Sequence, residues 1–226
     1  MSVIIDQVIR SRRKTIAIII HHDGKVFVRA PIKAPQRLIL AFVDSKSDWI
    51  NEKKKQALQH PVLPVRRFVD GESFLVLGKE IQLRVVENQK IALTLGTEFC
   101  ISQIALPQAR KVFENWYRAY AMKIINDRVE YFSRQHGFRY EKIRITSART
   151  RWGSCSSRGT LSFTWRLVMA PLEIVDYVVI HELAHIRIKN HSPIFWAEVA
   201  RLMPAYKQSK DWLKKNGRIL TLDSDG

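Results

Sequence analysis

The chain has 226 residues, 46% of them hydrophobic, and its 38 Lys/Arg against 21 Asp/Glu give a formal net charge of +17. This length and composition are typical of a folded protein with one large or two small domains, and they argue against intrinsic disorder. No apolar run reaches the ~18–20 residues of a membrane-spanning helix. With only Cys100 and Cys155 and no CxxC pair, neither a disulfide framework nor a cysteine-based zinc site is expected.

Residues 1–106 are predicted to form a β-rich N-terminal region. The runs Thr15–Ile20 and Val26–Ala30 flank an Asp23-Gly24 pair, which is a typical hairpin turn. A short helix is expected from Ser45, which we interpret as its N-cap. Three further strand-like runs follow and are separated by Gly and polar residues: SFLVLG, EIQLRVVE and KIALTLG.

Residues 107–226 change pattern and are predicted to form an α+β domain. A long helix begins after Pro107 and ends at Gly137. Its apolar positions recur near helical spacing: Val112, Trp116, Tyr120, Ile124 and Val129. Strand-like runs follow at Lys142–Ser147 and at Thr160–Arg166, and the second alternates apolar and polar residues as a half-exposed strand does. Another helix is expected from about Pro171. The sequence therefore predicts an α+β protein with a domain boundary near residue 106.

The segment VVIHELAHIRIKNHSPIFW, residues 178–196, contains the most informative motif. On a helix, His181 and His185 lie on one face, with Glu182 about 100° away. The remaining residues are apolar almost all round, so this helix should be buried and its polar side chains need partners. A pair of core histidines is one interpretation. The other is an HExxH site, in which two imidazoles bind a divalent metal ion and the carboxylate takes a proton from the attacking water.

A third histidine supports the metal site. On a continuous helix, His191 would lie about 9 Å beyond His185, too far for a shared ion. The sequence breaks the helix in between, because Asn190 tolerates the left-handed conformation that ends helices. Ser192 and Pro193 then have the pattern of an N-cap and first position of a new helix. We therefore expect His191 at a chain reversal, as a third ligand of a catalytic zinc with one open position.

The stretch from Arg149 to Trp196 also resembles the core of the YgjP-like metallopeptidases, through RWGSC, HELAH and NHSPIFW in that order. This family of small zincins is more distantly similar to the SprT and WLM zinc proteases. The resemblance implies one zinc per chain bound by His181, His185 and His191, with Glu182 as general base, and a protein or peptide substrate. By analogy with zincins, the strand Thr160–Arg166 would form the upper edge of the cleft, where an extended peptide could pair with it.

Hydrolysis also needs a donor to the oxyanion of the transition state. The span 142–172 carries six basic residues and no acidic one. Within it, Arg149 and Arg151 are the candidates for facing the metal, although a solvated basic loop is the simpler interpretation.

Two other classes of function stay open. The same metal chemistry could hydrolyse nucleotides, and the arginines would suit phosphates, although the sequence has no P-loop. Alternatively, the basic N-terminal region could bind nucleic acid. We expect a cytoplasmic protein without a membrane partner, because apolar residues precede the charged ones at the start of the chain, the reverse of a signal peptide. The sequence leaves the oligomeric state open.

Overall fold

The structure is a computed structural model that describes residues 3–21, 23–58 and 65–223. The chain divides into an N-terminal unit that ends at Val65 and a larger unit, Arg66–Asp223. The boundary predicted near residue 106 differs from this division because residues on either side of it share one hydrophobic core. Phe113 packs against Phe74 and Phe99, with ring centroids 4.3 and 5.1 Å apart.

The N-terminal unit consists of a three-stranded sheet and two helices among its described residues. They are β1 (Gln7–Ser11), β2 (Ala17–Ile20), β3 (Val26–Pro31), α1 (Gln36–Asp44) and α2 (Ser47–Leu58). The strand order is β1-β3-β2, with β1 parallel and β2 antiparallel to β3. The predicted hairpin is confirmed. Gly24 has a φ of 79°, and the Lys25 N–H donates to Asp23 Oδ1 at 3.0 Å.

Ser45 ends a helix and does not begin one, contrary to the sequence interpretation. It is the C-cap of α1, and its hydroxyl donates to the carbonyl of Phe42 at 2.8 Å. The preceding helix was not predicted, although Ile39 and Val43 lie one turn apart and are buried with the β3 side chains. The next helix begins two residues later, at Ser47.

The larger unit contains two sheets and four helices within residues 66–223. Its strands are β4 (Ser73–Val76), β5 (Lys79–Val86), β6 (Leu93–Leu95), β7 (Phe99–Ser102), β8 (Lys142–Thr146), β9 (Gly153–Cys155) and β10 (Thr160–Thr164). Its helices are α3 (Ala109–His136), α4 (Leu172–Arg187), α5 (Pro193–Leu202) and α6 (Tyr206–Asn216). Short 3₁₀ segments lie at Gln103–Gln108, Trp165–Met169 and Gly217–Ile219. The strand orders are β4-β5-β7-β6 and β8-β10-β9. The predicted α+β class is confirmed, and among the described helices none is both long and apolar enough to span a membrane.

The long helix α3 confirms the predicted element, and Gly137 caps it with a φ of 67°. Its fully buried face lies one residue beyond the predicted stripe. This face comprises Phe113, Tyr117, Ala121, Ile125 and Val129. The other predicted positions are half-buried, because α3 contacts strands as well as α4 and so needs a wide apolar surface.

The strand β10 is central in its sheet, which corrects one expectation. It pairs with β8 on one side and with β9 on the other, so it is not an edge at which a peptide could bind. The predicted alternation holds from Thr160 to Phe163, where the polar side chains are half-buried and the apolar ones buried, but it stops at Thr164, which is buried as well. The strand ends at Thr164, and the following 3₁₀ segment turns Arg166 into the interior.

Helix α4 carries the motif, and an ion pair fixes it against α3. The Arg128 guanidinium donates to both oxygens of Asp176, with Nε–Oδ1 at 2.5 Å and Nη2–Oδ2 at 2.8 Å. Such a bidentate contact constrains both distance and orientation. The helix also contacts β9, α5 and α6, so its HELAH segment lies among these elements.

Candidate metal centre

The predicted break after HELAH is present, but it begins earlier than expected. Helix α4 ends at Arg187, and Ile188 is extended with φ −127° and ψ 107°. Asn190 is not left-handed, so the expected mechanism of the break is wrong. Its side-chain oxygen instead accepts the N–H of Ser192 at 3.3 Å, which is an Asx-type turn.

The predicted start of the next helix is confirmed. Ser192 is the N-cap of α5, and its hydroxyl accepts the Phe195 N–H at 3.4 Å, with Pro193 in the first turn. The chain therefore reverses between Ile188 and Ser192. This reversal returns His191 to the rings of α4.

The three histidine rings converge through the same nitrogen. His191 Nε2 lies 3.0 Å from His181 Nε2 and 3.1 Å from His185 Nε2, and the three candidate ligand atoms lie within 4.8 Å of one another. For comparison, nitrogens around a tetrahedral zinc at ~2.0–2.1 Å are roughly 3.3 Å apart.

The chemistry of the rings fits a metal ion. His185 Nδ1 lies 3.0 Å from the Ile188 carbonyl, and donation to this oxygen leaves a lone pair on Nε2. Burial, together with the charges of the other two histidines and of Lys210, lowers the pKa of His181 to about 3. Burial also lowers the pKa of His185. Neutral rings with converging lone pairs repel one another unless a cation lies between them, so the donor set suits a divalent metal.

Two aromatic residues that follow the cap support the rings. Phe195 is fully buried, stacks on His185 at 4.4 Å, and presents its edge or face to the other two rings at 4.9 Å. Trp196 stacks on His191 with centroids 5.7 Å apart. These packed contacts restrict the ring rotamers, as supporting residues around metal ligands do.

Glu182 lies beside the cluster and is only 5% exposed. Its Oε2 is buried without a hydrogen-bond partner among the described residues. Burial raises the pKa of Glu182 to about 8, although the charge of Arg151 lowers it in part. Gly153 of β9 passes directly over this carboxyl group, because a Cβ placed there would lie 2.6 Å from both Cγ and Oε1 of Glu182.

The two arginine candidates have different positions. Arg151 faces a cavity of about 300 Å³ that His181 and Glu182 also line. Arg149 is ion-paired with Asp223, with Nη2–Oδ2 at 3.2 Å, and the same carboxylate binds Arg110 and Arg166. Only Arg151 is therefore placed beside the histidines.

Several residues of the site were not found from the sequence. They are Gly153, Tyr177, Phe195, Trp196 and Lys210. A weak signal existed for the two aromatic residues, which directly follow Ser192-Pro193. Tyr177 also had a signal, because it lies on α4 one turn before His181. Nothing in the spacing of Gly153 and Lys210 connects them to HELAH, since β9 and α6 reach the site only through the tertiary fold.

Comparison with known proteins agrees with this geometry. The model of the family described as YgjP-like, metallopeptidase domain, matches residues 14–216. The chain belongs to this family. The resemblance based on RWGSC, HELAH and NHSPIFW is thereby confirmed, and membership in a YgjP-like metallopeptidase family implies a hydrolase with a catalytic metal and a protein or peptide substrate.

This YgjP-like chain also has partial likeness to two crystal structures of metallopeptidase zymogens. Pyrococcus abyssi abylysin is 26% identical over 40% of this chain and 93% of its own, with a TM-score of 0.37. Methanocaldococcus jannaschii jannalysin is 24% identical over 42% of this chain and 96% of its own, with a TM-score of 0.36. A search of curated proteins found no match.

Proposed function

We propose that this YgjP-like protein is a zinc-dependent peptidase with His181, His185 and His191 as metal ligands and Glu182 as general base. The observation that carries the proposal is the convergence of three Nε2 atoms, with those of His181 and His185 at 3.0 and 3.1 Å from that of His191. They lie beside a buried carboxyl group whose Oε2 has no hydrogen-bond partner among the described residues. Three imidazoles that leave one position open are typical of catalytic zinc, and imidazole ligands suit this metal.

The residues then divide the reaction between them. A zinc ion held by the three histidines would lower the pKa of a water and polarise the scissile carbonyl. Glu182 accepts the proton of that water on its unpartnered Oε2 and passes it to the leaving nitrogen. Burial favours the protonated form of Glu182, the form that would donate to the leaving nitrogen, whereas a cation held by the neighbouring histidines would favour the carboxylate that accepts the first proton. Arg151 is the nearest candidate for a hydrogen bond to the developing oxyanion.

The open edge of β9 provides a place for an extended substrate. The Thr164 N–H donates to Trp152 O at 3.0 Å, and the Ser156 N–H donates to Thr160 O at 2.9 Å. Because antiparallel strands alternate the direction of their backbone groups, the N–H and C=O groups of Gly153 and Cys155 point away from β10. A peptide added at this edge would lie against Glu182. In this proposal β9 takes the role that the analogy with zincins assigned to the strand Thr160–Arg166.

One experiment compares the zinc-loaded wild type with Glu182→Gln on a peptide library and a nucleotide panel. We expect peptide turnover by the wild type, and its loss in Glu182→Gln at unchanged zinc content, because an amide cannot accept the proton. Glu173→Gln is the matched control, since Glu173 is exposed and lies on the same helix. Equal peptide turnover in Glu182→Gln and the wild type contradicts the role of Glu182. Turnover of nucleotides alone contradicts the peptidase and supports the phosphohydrolase.

A further inference from the structure

The cavity beside Glu182 is lined by one proposed metal ligand, His181, and otherwise by residues outside the ligand set. It has a volume of about 300 Å³, at the lower limit of typical ligand pockets. The residues that line it belong to the loop before β9, to β9, to α4 and to α6: Arg151, Trp152, Gly153, Tyr177, Val178, His181, Glu182, Lys210 and Leu213. Because His181 and Glu182 form one wall, an occupant lies next to the reacting bond.

The charges of this cavity are unbalanced. Arg151 and Lys210 are exposed cations at its rim, and its one acidic group is Glu182. Among the described residues, no carboxylate forms an ion pair with either cation. Lys210 is positioned by Trp196, with its Nζ 4.1 Å from the ring centroid, and Trp196 also stacks on His191. Lys210 therefore contacts the same tryptophan ring that packs on His191 at the metal centre.

The remaining walls are apolar. Trp152, Tyr177, Val178 and Leu213 contribute ring and aliphatic surface. This combination suits a side chain with a methylene stem and an anionic end, because the stem is buried against the walls while the charge reaches the rim. Glutamate has this shape, whereas the walls offer little to the hydrated surface of a free phosphate.

We propose that this cavity is a specificity pocket for an acidic side chain, preferably glutamate, adjacent to the scissile bond. The proposal rests on the proposed function, since it names the substrate class of the same site. The peptide lies along the open edge of β9. Lys210, from α6, contacts the substrate carboxylate, and Arg151, which precedes β9, adds its positive charge to the same cavity.

The test uses zinc-loaded full-length protein and pairs of peptides that differ only by Glu or Gln at each position flanking the cleaved bond. We expect kcat/KM to favour Glu by about 10-fold or more at one position, as for a hydrogen bond between charged groups. Lys210→Glu should abolish or reverse this preference, and Arg151→Glu should act in the same direction. Lys214→Glu is the matched control, because it makes the same charge change at an exposed position of α6 outside the cavity.

A second measurement separates binding from turnover. The Glu and Gln peptides are titrated against zinc-loaded Glu182→Gln with and without Lys210→Glu, and zinc content and thermal unfolding confirm that each variant is folded. Tighter binding of the Glu peptide that depends on Lys210 supports the pocket.

The outcomes distinguish the two proposals. Cleavage at equal rates with Glu and Gln, or a preference that survives both Lys210→Glu and Arg151→Glu, overturns the pocket but leaves the peptidase. Failure of the wild type to cleave any peptide overturns the peptidase, and the binding titration then decides the pocket: equal affinity for both peptides refutes it. Nucleoside triphosphates bound through Lys210 in preference to every peptide also refute it.

Discussion

A single methyl group added at Gly153 should separate catalysis from metal binding. In Gly153→Ala the new Cβ would lie 2.6 Å from Cγ and Oε1 of Glu182 and 2.8 Å from its Cδ. The metal ligands lie on α4 and on the turn after it, and none of their atoms is among the three nearest to the new methyl group. The three closest contacts of the new methyl group are therefore all with the proposed general base.

The size of the effect follows from these distances. Carbon atoms pack optimally at about 3.5–4.0 Å, so Glu182 and β9 must move apart by roughly 1 Å. A displacement of this size at a catalytic group reduces the rate by about 100-fold. Overpacking of a buried position costs about 1–3 kcal/mol of unfolding free energy. We expect a 100-fold lower kcat, a modest loss of stability and an unchanged zinc content.

The assay measures kcat on a peptide that the wild type cleaves, together with zinc by elemental analysis and unfolding by denaturant. Gly96→Ala is the matched control, because a Cβ at Gly96 meets nothing within 4 Å and its φ is not left-handed. It should keep wild-type kcat and stability. Wild-type kcat in Gly153→Ala would refute the close approach of β9 to Glu182, and loss of zinc would show that β9 positions the metal ligands as well.

The other predictions concern the metal. Zinc at a thousand times its Kd should raise the unfolding free energy by about 4 kcal/mol. This corresponds to a rise in Tm of roughly 8–16 °C for a domain of this size. In a thermal scan, His191→Ala should lose most of this rise in Tm. Phe195→Leu should weaken zinc binding by about 10-fold or more in competition with a chelator, whereas Ile194→Ala, at an exposed neighbour, should not. The pair Asn190→Ala and Pro193→Ala favours a continuous helix and should also weaken binding; equally tight zinc in a folded double variant contradicts the role of the break.

Short-range spacing was sufficient to predict the convergence of the histidines. His181 and His185 share a helix face by periodicity alone, and Ser192-Pro193 is a local signal that requires no tertiary contact. The backbone at Asn190 was predicted less well. The helix already ends at Arg187, where the Ile188 carbonyl is available to the His185 ring. The hydrogen bond between His185 Nδ1 and the Ile188 carbonyl orients a proposed metal ligand. The residue types around the break do not predict it.

The walls of the site could not be predicted in the same way. Gly153 and Glu182 are in contact, yet their contact depends on the order of strands in the sheet. The alternation of Leu161 and Phe163 with polar residues fits an edge strand and a central strand equally well, and only the partners β8 and β9 decide between them. The same limit explains the domain boundary, since nothing local shows that Phe74 packs on Phe113.

Unpartnered polar atoms connect the stability of this fold to its chemistry. Within the described residues, His181 Nδ1 and Glu182 Oε2 are both buried without a hydrogen bond, although they belong to adjacent residues in a helix that is otherwise packed with apolar side chains. An unsatisfied buried group costs about 1–3 kcal/mol, so two of them at neighbouring positions are expensive for structure alone. Such violations of local consistency are expected where a site must remain ready to bind and exchange protons. A stable α4 and a reactive Glu182 are therefore competing requirements. The packing of Phe195 and Trp196 on the histidine rings and the Arg128–Asp176 ion pair offset the stability lost at the two unpartnered atoms.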